Sequence, residues 1–178
     1  MKKFEIEQKY RILNPKKFRT LLGRMNARKI ASGLERNELF DAGRMLLGKK
    51  CVLRLRRHGS GAARLTFKGP RLKGKYKKRV ETELCVDYQG MKGVLKNIGF
   101  EVTASYSKMR EEYALRDAHV TIDRLAGVGW FVEIEGPTAK IAAIEKKLGL
   151  KAEDREERTY LDLSQSRQGK RWGVGIDR

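Results

Sequence analysis

At 178 residues, with 40% hydrophobic and 35% charged content, the chain suits one folded domain with a real core and excludes global disorder. It holds no apolar run long enough to span a membrane, and its N-terminus enters an alternating charged segment rather than a signal-like one. A cytoplasmic protein is therefore expected. The 41 Lys and Arg against 22 Asp and Glu, a formal charge of +19, favour a polyanionic partner.

In chain order, Phe4 to Leu13 alternates strictly and predicts a strand. Asn14-Pro15 then offers an N-cap and a first-turn proline, with Phe18, Leu21, Leu22 and Met25 at helical spacing behind it. Residues 28–41 read as extended. Residues 51–57, 63–68 and 77–86 alternate again, punctuated by Gly59-Ser60-Gly61 and Gly69-Pro70. A second helix fits 88–98, with Gly99 as its stop. Residues 100–115, 118–123 and 130–135 predict three further strands. A third helix opens at Pro137-Thr138 and runs to Gly149, and a short strand at 159–163 closes the set. Cys51 and Cys85 form no disulfide framework, and His58 and His119, isolated in sequence, are read as structural or surface residues.

The strands carry charge on one face at spacing i, i+2. Glu5, Glu7 and Lys9 lie opposite Phe4, Ile6 and Tyr10. Arg54 and Arg56 share a face, as do Arg64, Thr66 and Lys68, and then Arg79, Glu81 and Glu83. Lys108 pairs with Arg110, Thr121 with Asp123, and Glu133 with Glu135. A merely wet sheet face needs no such clean carboxylate pairs. Hard divalent cations take carboxylate oxygens, whereas phosphates take Arg forks and Lys ammonium groups. Carboxylates and cations together suit a metal–polyphosphate complex, and closing the sheet would turn the stripes inward while helices cover the apolar outside.

In order, these motifs resemble those of the CYTH domains, also called triphosphate tunnel metalloenzymes. The resemblance rests on Glu5-Ile6-Glu7-Gln8-Lys9 (ExExK), Leu39-Phe40-Asp41, the RxR of Arg54 and Arg56, and Leu65-Thr66-Phe67-Lys68-Gly69-Pro70. It continues through Arg79-Val80-Glu81-Thr82-Glu83, Lys108-Met109-Arg110 with Tyr113, and Asp123 through Phe131-Val132-Glu133-Ile134-Glu135. The chain departs from the family at Gly127-Val128-Gly129-Trp130 and in the basic loop after Pro70.

The resemblance implies an α+β fold, a mostly antiparallel eight-stranded closed barrel with helices outside. It implies Mg²⁺ or Mn²⁺ held by Glu5, Glu7, Glu81, Asp123, Glu133 and Glu135. The triphosphate would be gripped by Lys9, Arg54, Arg56, Lys68, Arg79, Lys108 and Arg110. Catalysis would be carried by Glu5, Glu7, Lys9, Lys68 and Arg110. The implied activity is metal-dependent hydrolysis of ATP, thiamine triphosphate or tripolyphosphate; the alternative is a class IV adenylyl cyclase making cyclic AMP and pyrophosphate. A non-catalytic polyphosphate- or RNA-binding module is the third reading, motivated by the charge and by loop 71–79 as a polyanion contact. A homodimer is also implied. Residues 1–165 are read as the domain and 166–178 as a basic tail.

Overall fold

The computed structural model describes residues 4–59 and 63–172. Eight strands, β1 (Phe4–Ile12), β2 (Arg28–Asp41), β3 (Val52–His58), β4 (Ala63–Lys68), β5 (Lys77–Val86), β6 (Glu101–Leu115), β7 (Ala118–Leu125) and β8 (Gly129–Glu135), close into a barrel. Around it the order is β1-β5-β4-β3-β2-β6-β7-β8, and every pairing is antiparallel.

The helices are α1 (Pro15–Arg24), α2 (Met45–Gly48), α3 (Tyr88–Asn97), α4 (Thr138–Leu148) and α5 (Tyr160–Trp172). As the sequence predicts, Asn14 Oδ1 caps α1 through the Lys17 N–H, and Gly149 ends α4 in the left-handed conformation. Short α2 is set by Asp41, whose carboxylate accepts from the backbone N–H groups of Ala42, Leu46 and Leu47 at 2.7–2.9 Å. Among the described residues, no helix is long and apolar enough to cross a membrane.

The apolar core lies outside the barrel wall rather than within it. Val120, Ile122, Val132 and Ile134 point outward from β7 and β8, fully buried against Leu22 of α1 and Ile141, Ile144 and Leu148 of α4. Each such side chain stabilises the fold by about 1.5–3 kcal/mol. A second cluster seats Leu95 of α3 on Phe40 and Leu55. The period of two sends the alternate residues (Thr121, Asp123, Glu133) into the barrel, so the charged interior follows from where the apolar partners go.

One predicted element is corrected. Residues 159–163 do not form a strand; they begin α5. The Thr159 N–H and hydroxyl donate to Asp162 Oδ2 at 2.8 Å, and the Asp162 N–H donates back to Thr159 Oγ1 at 3.1 Å. This reciprocal cap is a helix signal of the T-x-x-D kind. Tyr160 and Leu163, three apart, then bury together against Leu125 and Phe131. The helix crosses the expected boundary at residue 165. The basic side chains expected at 167–172 lie outside the described residues, as does the last part of the tail, 173–178.

Candidate active site

The barrel encloses a cavity of about 290 Å³ lined mostly by charged side chains. Every expected metal or triphosphate residue except Asp123 stands in its wall. Closure sorts them. Strands β8, β1 and β5, far apart in sequence, are consecutive around the barrel, and they bring Glu133, Glu135, Glu5, Glu7, Glu81 and Glu83 to one side. Strands β3, β2 and β6 complete the opposite side, where Arg54, Arg56, Lys108 and Arg110 project. The cavity therefore has an acidic arc facing a basic one.

Within the acidic arc the cations Lys68, Arg79 and Lys9 are embedded. Lys68 Nζ donates to both Glu5 oxygens at 2.7 and 2.8 Å and lies 2.7 Å from Glu81 Oε2. Arg79 Nε donates to Glu5 Oε2 at 3.2 Å, and its NH2 is 3.8 Å from Glu7. Glu7 and Glu135 are direct cross-strand neighbours. Like charges in that register repel. The Glu135 carboxylate makes no hydrogen bond and no ion pair within 4 Å among the described residues. Burial in the wall, with Glu5, Glu81 and Glu7 beside it, raises its pKa to about 7. Four carboxylates with surplus negative charge and hard oxygen donors fit a divalent cation.

On the basic arc the side chains are held by carboxylates behind them. Arg56 NH2 donates to Glu83 at 2.9 Å, and its NH1 approaches Glu35 at 3.4 Å. Arg110 forks onto Asp123 at 2.7 and 2.6 Å and donates to Glu133 at 2.6 Å. Burial opposes its charge, but Asp123 and Glu35 outweigh burial and raise its pKa. Arg54 donates to Thr66 at 3.5 Å and is also engaged by Tyr106, with Glu35 and Glu81 near enough to favour its charge. Lys9 lies 4.0 Å from Glu133, and burial, aided by Lys77 and Lys108, lowers its pKa to about 8.

Asp123, expected among the metal ligands, sits elsewhere. It is fully buried and accepts from Arg110, Lys108, Thr121 and Tyr160. Both oxygens accept from donors, Arg110 among them, so its inward-pointing side chain does not line the cavity.

Several residues escaped sequence reading. Glu35 is fully buried on β2, within ion-pair reach of Arg56, Lys108 and Arg110. Burial opposes its charge, yet those cations hold its pKa well below the ordinary range. His58 Nε2 approaches Glu35 at 3.5 Å and Glu112 at 3.8 Å, and the three ligand atoms lie within 4.8 Å of one another. An ion there would meet three cations already gathered on Glu35, so this group balances charge behind the basic arc. His119, Tyr106 and Tyr160 also enter the cavity wall. Only the alternation of His58 with Arg54 and Arg56, and of His119 with Thr121, could have placed the histidines inside.

A closed eight-stranded barrel whose cavity sets an acidic arc against a basic one defines the class of fold and site. A family model for the CYTH domain matches residues 3–160, so the chain belongs to the CYTH domain family. It is 27% identical over 175 residues to adenylate cyclase CyaB of Aeromonas hydrophila, covering 90% of this chain and 88% of that protein. It is 33% identical over 85 residues to a candidate adenylate cyclase of Methanocaldococcus jannaschii, an alignment of 47% of this chain that spans about half of that protein's length (49%). Among solved structures, a Pyrococcus furiosus conserved hypothetical protein aligns at a TM-score of 0.74 with 30% identity, covering 89% of this chain and 99% of that one. A Hippeastrum protein, described as a candidate adenylyl cyclase with a dominant triphosphatase activity, shares the fold at a TM-score of 0.68 and 18% identity, covering 91% of this chain and 95% of that one.

Proposed function

We propose that this chain hydrolyses a small triphosphate with the help of Mg²⁺ or Mn²⁺. The observation that carries the reading is the pair of opposed arcs: an under-neutralised carboxylate wall at Glu5, Glu7, Glu81 and Glu135 facing Arg54, Arg56, Lys108 and Arg110. Bound by those carboxylate oxygens, a divalent ion supplies charge that draws in the phosphates and stabilises the attacking and leaving oxygens.

The chain's own residues do the rest. Phosphoryl transfer depends on alignment and charge stabilisation more than on covalent partners. Arg54, which makes no salt bridge to a carboxylate within 4 Å among the described residues, would fork onto a phosphate, while Arg56 and Arg110 are pre-oriented by Glu83, Glu35 and Asp123. Lys9 and Lys68 neutralise charge from the acidic side. Glu133, held by Arg110, completes the arc and is a weaker ligand candidate than Glu135.

The composition of the wall supports reading the substrate as a small triphosphate, and with it hydrolysis before cyclisation. The rings of Tyr106, Tyr160 and His119 are the wall's aromatic surfaces, and Tyr160 already carries Lys9 and Lys108 against its ring. The lining thus offers a nucleobase little apolar shelf. The cyclase reading draws on the names of two relatives. One experiment separates them: ATP, thiamine triphosphate and tripolyphosphate are each incubated with the chain and Mg²⁺ or Mn²⁺, and products are followed by phosphorus NMR. Orthophosphate release is expected. Cyclic AMP with pyrophosphate would overturn hydrolysis.

A further inference from the structure

Tyr160 comes from outside the barrel, on the first turn of α5, and is nearly fully buried at 5% exposure. Its ring centroid lies 4.1 Å from Lys9 Nζ and 4.0 Å from Lys108 Nζ. Its hydroxyl donates to Asp123 Oδ2 at 2.6 Å, and Asp123 holds the Arg110 fork. One side chain therefore touches two of the cavity's cations directly and reaches a third through one carboxylate.

Its own position is fixed independently of them. Phe131 meets the ring edge-on at 5.5 Å, and Tyr106 packs at 6.2 Å. The Thr159–Asp162 cap sets where α5 begins. Upstream, the Glu156 N–H donates to the Lys9 carbonyl at 2.9 Å, and Gln8 Nε2 donates to Glu157 at 3.1 Å, tying the approach to α5 onto β1.

We propose that Tyr160 is a positioning residue that cradles the Lys9 and Lys108 ammonium groups for an incoming triphosphate. This rests on reading the cavity as a triphosphate site. The chemistry explains why a ring stands here. A further carboxylate beside these lysines, added to Glu133, Glu35 and Asp123, would hold them equally well but cancel the charge that the phosphates need. A ring quadrupole orients an ammonium without neutralising it, and leaves its N–H donors free to turn toward an anion. Lys9 fits this need best, since its nearest carboxylate, Glu133, is 4.0 Å away.

The test keeps shape constant while the quadrupole is drained. Phenylalanine and its mono-, di- and trifluorinated analogues are placed at position 160 in the full chain, with thermal unfolding as the fold control. Tripolyphosphate binding is measured calorimetrically without metal, and KM and kcat are measured with Mg²⁺. Tyr160→Phe is expected to bind within about threefold of the wild type, because the ring remains. The trifluorinated ring is expected to bind about tenfold more weakly, falling stepwise along the series. KM should rise in parallel and kcat should stay within about threefold, since the lysines meet charge already present on the bound triphosphate. Wild-type binding with a flat series would overturn the positioning role alone. No binding of tripolyphosphate by the wild type would overturn the triphosphate reading, and the positioning role with it.

Discussion

Replacing Asp123 by asparagine preserves shape and removes one charge from a fully buried position. The aspartate there accepts five hydrogen bonds: two from Arg110 and one each from Lys108, Thr121 and Tyr160. An asparagine presents an NH₂ group to donors that have no use for it, and leaves Arg110 less compensated. Breaking a buried ion pair from one side costs about 3–5 kcal/mol. The lower end applies, because Glu35 and Glu133 still face Arg110. For a chain of this length, about 3 kcal/mol corresponds to a fall in Tm of about 6–12 °C. Calorimetry on the metal-free protein measures it. Turnover should fall as Arg110 loosens, while the Mg²⁺ concentration needed for half-maximal rate stays within about twofold. A Tm within 2 °C or so of wild type, together with a raised Mg²⁺ requirement, would refute the reasoning and return Asp123 to the metal ligands.

Other expectations follow from the same cavity. Glu135, raised to about 7, binds a proton that a metal must displace, so Mg²⁺ affinity should climb as pH rises through 7. Lys9, lowered to about 8, loses its charge above that pH, so kcat/KM should trace a bell with limbs near 7 and 8. Because the folded-state pKa of Glu135 lies above its unfolded value, the metal-free protein should lose stability as pH rises from about 4.5 to 7, and Glu135→Gln should flatten that slope in urea titrations. The Glu5→Ala/Glu7→Ala double variant should lose metal-dependent phosphate release while keeping salt-sensitive retention on heparin; unchanged turnover would remove both from the site. Glu145 accepts from Tyr10, Tyr76 and Arg155, binding the stretch after Pro70 and the stretch before α5 to α4. Glu145→Ala should cost about 2–3 kcal/mol in urea unfolding by leaving two tyrosine hydroxyls without their acceptor.

Much of this was legible because the strands alternate so cleanly. Val132 and Ile134 had to face a core, so Glu133 and Glu135 had to face the other way. Which strands become neighbours was not legible, since closure pairs β1 with β5 and β8 across long stretches of sequence. The gathering of carboxylates on β5, β1 and β8 is a consequence of topology, invisible in any one strand. Glu35 was hidden because Arg36 and Glu38 beside it make β2 read as an ordinary charged edge. Asp123 looked like its neighbours in motif, and only the Arg110 fork and Tyr160 hydroxyl distinguish it. Tyr160-Leu161-Asp162-Leu163 imitates strand alternation over four residues, and the Thr159–Asp162 cap was the competing signal.

The central claim is a metal on the acidic arc bridged by phosphate to the basic arc. A crystal grown with Mn²⁺ and a non-hydrolysable triphosphate tests it directly, because the manganese anomalous signal locates the ion independently of the phosphates. That signal is expected against Glu5, Glu7 or Glu135, with phosphate oxygens at Arg54, Lys108 and Arg110. Manganese at Glu35, His58 and Glu112, or a triphosphate lying on the outer basic loop at 71–79, would contradict it.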